Sequence, residues 1–135
     1  MTIYDQLRRD ESVRDTMYRD ELGNATVGVG HNLSTPLSAR AIQMILEDDV
    51  SAKKIEMDAS LPWAASLDDA RYGALLNLSF NMGVGGLLGF PRMLRAIQAQ
   101  DWTGAARELL DSRYARQVGD RATRLAAQLQ TGVWQ

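Results

Sequence analysis

Cysteine is absent from the 135 residues and histidine occurs once, at His31. The first absence removes disulfide frameworks and thiol nucleophiles; the second leaves no zinc site of the usual His/Cys kind. No G-x-S-x-G elbow exists to draw His31 into a serine triad. The run Gly83-Val84-Gly85-Gly86-Leu87-Leu88-Gly89 lacks the G-K-[ST] of a phosphate loop and is expected to be a flexible junction. No metal and no cofactor is therefore expected. No apolar stretch reaches the ~18 to 20 residues of a membrane helix. Charges run through the N-terminal segment without an apolar stretch of leader length, so synthesis in the cytoplasm without a signal peptide is expected. What is present, 45% hydrophobic and 24% charged residues, describes one ordinary globular domain.

The net charge of -2 hides an asymmetry, since residues 1–89 carry -5 and residues 90–135 carry +3. A basic C-terminal third is most simply a set of solvated helix faces. Nothing in it suggests base-reading side chains on an exposed helix, so nucleic acid is not an expected partner.

Spacing predicts a short helix over 3–11, with Ile3, Leu7 and Glu11 on one face. Residues 17–33 alternate short β-branched or aromatic runs with Gly and Asn, which predicts a sheet of two or three strands. Ser38 is a good N-cap for a long helix over 38–58, with a Leu37–Ile42 staple and an apolar stripe of Ile42, Ile45, Leu46 and Val50 on which Asp49 falls. Asp68 caps a helix apolar all round, which belongs at the centre of a bundle. Amphipathic helices follow, around Trp102–Leu110 and Ala122–Leu129, with Gly132 as the C-terminal stop. The expected class is α+β, mostly α: a small lobe over 1–37, the connecting helix, and a helical lobe over 59–135, making one domain with a cleft.

Glu11 ends its helix on the apolar side, where partial burial and the negative helix pole would both raise a carboxyl pKa, as a general acid needs. Asp20 follows in the hairpin, with Thr26 across the turn able to hold a water. An acid, a second carboxylate and a water-orienting hydroxyl form the minimum set for glycoside hydrolysis. Acidic residues in a helix and a hairpin are more often simply solvated, so spacing alone leaves both readings open. Glu21, if on an extended strand with Asp20, should face the opposite side.

Glu11, eight residues, Asp20, five residues, Thr26, then Gly28-Val29-Gly30-His31 resembles the catalytic signature of the phage-type lysozymes, glycoside hydrolase family 24. The resemblance continues through Asn77, Phe80-Asn81-Met82-Gly83, Gly89-Phe90, Ser112-Arg113-Tyr114, Asp120-Arg121-Ala122 and Thr131-Gly132-Val133-Trp134, in order along the whole chain. It implies a two-lobed muramidase that cleaves the β-1,4 bond between N-acetylmuramic acid and N-acetylglucosamine in peptidoglycan. By that resemblance Glu11 is the acid, Asp20 with Thr26 positions the water, Arg121 pairs with Glu11, and Phe80, Asn32 and Gly30 meet substrate. Such an enzyme is expected to work as a monomer and to reach the wall or periplasm after release. The chain departs from the family pattern in a shorter link between His31 and the long helix, and at Asn32, Glu21, Met93 and Glu108. A non-catalytic wall-binding domain that keeps the fold is the alternative class.

Two further expectations concern packing. Asp49, if buried on its stripe, needs a cation, and His31 is the expected partner in an ion pair. Trp134, Trp102 and Phe90 are expected in the core of the helical lobe, with Phe80 on the cleft floor.

Overall fold

In the computed structural model, which describes residues 1–135, Thr2 opens the first helix, α1 (Ile3–Glu11), through a reciprocal capping box. Its hydroxyl accepts from the Asp5 N–H, and the Asp5 carboxylate accepts from the Thr2 N–H at 2.8 Å. Ser12 ends the helix at φ 66°, a conformation that glycine adopts freely and serine only at a cost. Glu11 is therefore the last helical residue.

The chain then forms three antiparallel strands in sequence order, β1 (Arg14–Arg19), β2 (Ala25–Gly28) and β3 (His31–Asn32). The sheet begins at Arg14 rather than at Met17. Arg14-Asp15-Thr16 has little strand propensity of its own, and pairing with β2 recruits it. Arg14 faces Gly28, whereas Tyr18 faces Thr26, so β1 carries an irregularity between those two pairs. The turn from β2 to β3 has Gly28 at φ 69° and Gly30 at φ 70°, which explains the glycines there.

The long helix α2 (Ala39–Ser60) starts where Ser38 predicts, with Ser38 Oγ accepting from the Ala41 N–H at 3.1 Å. Its apolar stripe is not buried as expected. Ile42, Ile45 and Leu46 are exposed, and Met57 near the C-terminal end is the one fully buried side chain of the helix. Asp49 is exposed too, whereas its place on the stripe predicts burial. His31 Nε2 is buried and takes no hydrogen-bond partner. The chain divides into two compact units, Met1–Ile45 and Leu46–Gln135, and the division falls inside α2.

The second unit continues through a 3-10 turn (Pro62–Ser66) into α3 (Asp69–Leu88), α4 (Pro91–Gln98), α5 (Trp102–Leu110), α6 (Arg113–Val118) and α7 (Asp120–Thr131). Asp68 caps α3 by accepting from the Arg71 N–H at 3.0 Å. The helix is central, as its composition predicts: Leu75, Leu78 and Leu87 are fully buried, together with Leu109 of α5 and Leu129 of α7. Each such leucine contributes about 1.5–3 kcal/mol of burial free energy before ordering costs. Ser79, also buried, is satisfied by donating to the Leu75 carbonyl at 3.0 Å. The glycine-rich run is no loose junction. Gly83 alone breaks the helix, at φ 78° and ψ 161°, and helix resumes through Leu88. Val84 and Leu87 bury their side chains in that last turn, which holds it in place.

Arg71 ties this unit together. Its Nε donates to the Leu129 carbonyl, its Nη2 to the Gln130 carbonyl at 2.9 Å, and its Nη1 reaches Asp68 at 3.0 Å. The guanidinium also stacks 3.9 Å over the Trp102 ring. Gln128 adds a buried bond to the Ala70 carbonyl at 2.7 Å. Gly132 ends α7 in the left-handed conformation that its position predicts.

Trp102 and Phe90 pack against the core, and Phe90 meets Tyr114 edge to face with centroids 6.4 Å apart. Trp134 does not, contrary to expectation. It is 61% exposed and lies across Gly73, where a Cβ would stand 2.1 Å from the ring. A residue beyond the helix stop has only a surface to lie on, and the missing side chain at Gly73 makes that surface flat. No single helix is long and apolar enough to cross a membrane.

Candidate active site

Within the first unit, the end of α1 and the β1–β2 loop bring Glu11 and Asp20 to one depression of about 540 Å³. Asp10, Arg14, Arg19 and Glu21 complete its charged lining, and Tyr18 supplies an aromatic wall. The Arg14 guanidinium lies 5.0 Å over the Tyr18 ring, while Arg19 donates to the Gly23 carbonyl at 3.0 Å. Both cations are thereby held beside the carboxylates.

Glu11 is exposed, not half-buried as its helical face predicts. Its carboxyl lies against backbone, because a Cβ on Gly30 would stand 3.0 Å from Oε2 and 3.3 Å from Cδ. Gly30 thus has two requirements that no other residue meets: a positive φ and room for a carboxyl group.

Asp20 is gripped by the loop that follows it. Its Oδ1 accepts from the Leu22 N–H at 2.9 Å and the Asn24 N–H at 2.7 Å, and Oδ2 accepts from Asn24 Nδ2 at 3.1 Å. Donation by the Asn24 backbone, then by its side chain, outweighs desolvation and holds the Asp20 carboxyl below the usual carboxylate range. It is a stable anion at neutral pH. Thr26 on β2 is almost fully buried, and its hydroxyl donates to the Asn24 carbonyl at 2.8 Å. Since the proton is committed there, the oxygen presents lone pairs only.

Glu21 lines the same depression as Asp20, against expectation. These residues sit at a turn rather than in a strand, so strand alternation does not separate them. Asn32 on β3 uses its side-chain oxygen to accept from the Ser34 N–H at 2.8 Å, shaping the exit toward α2. Asn24, Arg14, Arg19 and Tyr18 escape the sequence reading. The one signal for Asn24 was its place in an Asp-to-Asn loop between strands, where such side chains bond nearby backbone.

The other expected residues lie in the second unit. Phe80, 42% exposed, lines an apolar hollow of about 290 Å³ with Leu46, Val50, Gly73, Leu76, Asn77, Arg121 and Trp134. Within that unit Arg121 is fixed by Asn77, donating to its Oδ1 through Nε at 3.0 Å and Nη2 at 2.7 Å. Met93 and Glu108 share a separate hollow of about 420 Å³ beside Phe90 and Tyr114. Nowhere do three or more His, Cys, Asp or Glu side chains gather as metal ligands.

A family profile of the phage lysozymes matches residues 8–129, a span that takes in Glu11, Asp20, Thr26, Gly30 and Arg121. The chain belongs to the phage lysozyme family. Membership places it among the lysozyme-type glycosidases. The chain is 27% identical to the probable T4-type lysozyme 1 of Dictyostelium discoideum over 161 aligned positions, covering 97% of this chain and 95% of that one. The probable T4-type lysozyme 2 of the same organism matches to the same extent. The pre-baseplate central spike protein Gp5 of Enterobacteria phage T4 is 30% identical, covering 98% of this chain but 28% of the spike protein. Each alignment runs to 161 positions against 135 residues here, so this phage lysozyme domain lacks segments that its relatives carry.

Proposed function

We propose that the chain is a muramidase that hydrolyses the β-1,4 bond between N-acetylmuramic acid and N-acetylglucosamine in peptidoglycan, acting as one lysozyme domain and as a monomer. The observation that carries this reading is the shared depression, in which Glu11 and a firmly ionised Asp20 meet the same solvent. A glycosidase needs one carboxyl group to give a proton and another to stay charged.

Glu11 protonates the glycosidic oxygen as the C1–O bond breaks, leaving a Glu11 carboxylate and an oxocarbenium-like sugar. Asp20 draws one hydrogen from the attacking water, and Thr26 Oγ1 accepts the other in a hydrogen bond. Oxygen then bonds to C1 from the opposite face, Asp20 keeps the proton, and configuration inverts. Thr26 suits this task because its own hydrogen is already donated to Asn24. Phe80 and Gly30 serve as substrate contacts in the same reading, and Asn32 stands at the rim of the sheet.

The test uses purified peptidoglycan. Glu11→Gln keeps the shape and removes the transferable proton, so lysis should fall by orders of magnitude with the fold intact. NMR of the first product should show the α-anomer. Full lysis by a folded Glu11→Gln variant overturns the assignment of the acid, whereas an initial β-anomer overturns inversion alone. Retained wall binding without turnover in the unaltered protein would make the chain a non-catalytic binder.

A further inference from the structure

We propose that Asn24 is a positioning residue for water activation, locking the Asp20 carboxylate and the Thr26 hydroxyl into one hydrogen-bonded frame. The inference rests on the reading of Asp20 as the carboxylate that activates water. Asn24 makes four of the bonds that define this part of the site. Its backbone N–H reaches Asp20 Oδ1 at 2.7 Å and its side-chain Nδ2 reaches Oδ2 at 3.1 Å. Its carbonyl receives the Asp20 N–H at 3.0 Å and the Thr26 hydroxyl at 2.8 Å.

Each bond removes one freedom that an inverting attack cannot tolerate. Two donors on two different oxygens stop the Asp20 carboxylate from rotating about its last torsion. A fixed proton acceptor for Thr26 stops its hydroxyl from turning and turns its lone pairs away from Asn24. One residue thereby orients both groups that the water must meet, and misplacement of such a pair by even ~1 Å costs rate steeply.

The charges around Asp20 give the amide a second task. Asp10 and Glu11 at the end of α1 and Glu21 in the loop oppose another anion, while Arg14 and Arg19 on β1 favour one. Three carboxylates against two guanidiniums leave Asp20 dependent on its hydrogen bonds for a low pKa, and Asn24 supplies the largest of them.

Backbone bonds survive substitution, so the side-chain amide is the part that can be tested. Asn24→Leu removes the bond to Oδ2 at similar volume, and Asn24→Asp puts an acceptor where the donor stood. Initial rates on purified peptidoglycan are measured from acid to alkaline pH. For Asn24→Leu, kcat should fall about tenfold with KM nearly unchanged, as a bond to a charged group is lost. The acid limb of the rate profile should rise by about one pH unit, because Asp20 must stay ionised. Asn24→Asp should raise the acid limb further. A merely structural role would lower activity in step with the folded fraction and leave the acid limb in place, and that result overturns the proposal. Should Asn24→Leu fail to fold, the isosteric Asn24→Asp decides alone: an unmoved acid limb is equally fatal. Asp20→Asn is assayed alongside. If it retains full activity, the reading of the site itself falls; if it is inactive while both Asn24 variants behave as the unaltered protein, only this inference falls.

Discussion

Gly28 and Gly30 stand two residues apart in one turn, with nearly equal dihedrals, φ 69° and φ 70°, yet they differ in what surrounds them. A Cβ at Gly28 would meet nothing within 4 Å, whereas one at Gly30 would press on the Glu11 carboxyl, 3.0 Å from Oε2. Alanine at either position therefore incurs the same backbone penalty, about 1–2 kcal/mol for a side chain in the left-handed region. That should lower the melting temperature by roughly 3–6 °C for a domain of this size. Only at Gly30 does a second effect follow. The carboxyl is the far end of a flexible side chain, so it yields by rotating rather than by straining the fold, and little further stability is lost. What is lost is position, and a displaced acid costs up to about a hundredfold in kcat. Thermal melts and initial rates on purified peptidoglycan, for Gly28→Ala and Gly30→Ala together, separate the two effects. Equal melting losses with a rate defect confined to Gly30→Ala are expected. Equal rate defects in both variants, or full activity in Gly30→Ala, refute the idea that Gly30 keeps room for Glu11.

Tyr72 is held protonated by burial and by donating to Asp58 Oδ1 at 2.7 Å, which together push its pKa up to about 12. A raised pKa contributes stability that is complete below the unfolded value near 10 and lost as pH climbs toward 12, so the absorbance titration should show one of the four tyrosines ionising last, and Tyr72→Phe should abolish that phase. Asp5, held low by the Thr2 hydroxyl and backbone, and Asp20, held low by Asn24, act in the opposite sense. Their contributions are present above about 3.9 and disappear as pH falls through the lower folded values, and carboxyl NMR titration of both should show midpoints below the ordinary range. Gly73→Ala should improve helix propensity by up to about 1 kcal/mol yet dislodge Trp134, read as a change in tryptophan emission absent from the same substitution in Trp134→Phe. Arg71→Met removes the guanidinium from over the Trp102 ring and strands two carbonyls at the end of α7, and should cost about 2–3 kcal/mol in denaturant unfolding.

Local rules carried most of the fold. Ser38 and Asp68 cap the helices they were expected to cap, Gly132 stops the last one, and Leu75 and Leu78 mark a central helix because a helix without a polar face has nowhere else to go. Readings that needed tertiary knowledge failed. Arg14 joins a strand only because Gly28 pairs with it, and Gly83 interrupts α3 once instead of opening a loop because Val84 and Leu87 are held by the core. The spacing of Trp134 predicts packing in the core, as for most aromatics, whereas its place past the helix stop leaves it on the surface. At the candidate site, the spacing of Glu11, Asp20 and Thr26 singles out two residues that share one depression and a third, buried on β2, that does not line it. The residue that links Asp20 and Thr26, Asn24, was not legible, because an asparagine in a turn reads as loop chemistry until its partners are seen.

The anchoring of α7 bears on the order in which the molecule is made. Arg71 and Gln128 join positions separated by 58 and 59 residues, and the carbonyls that Arg71 captures belong to Leu129 and Gln130. During synthesis, α3 emerges with its guanidinium held by Asp68 alone and its apolar sides open, while the helix that will cover it is still to be translated. Most of the helical unit thus waits, half-assembled, for a few late residues, whereas α1 and its small sheet depend on short-range pairings that can close at once. A nascent chain stalled before Gln128 should already hold the hairpin and remain open to protease around α3; release of the remaining residues then acts as the latch.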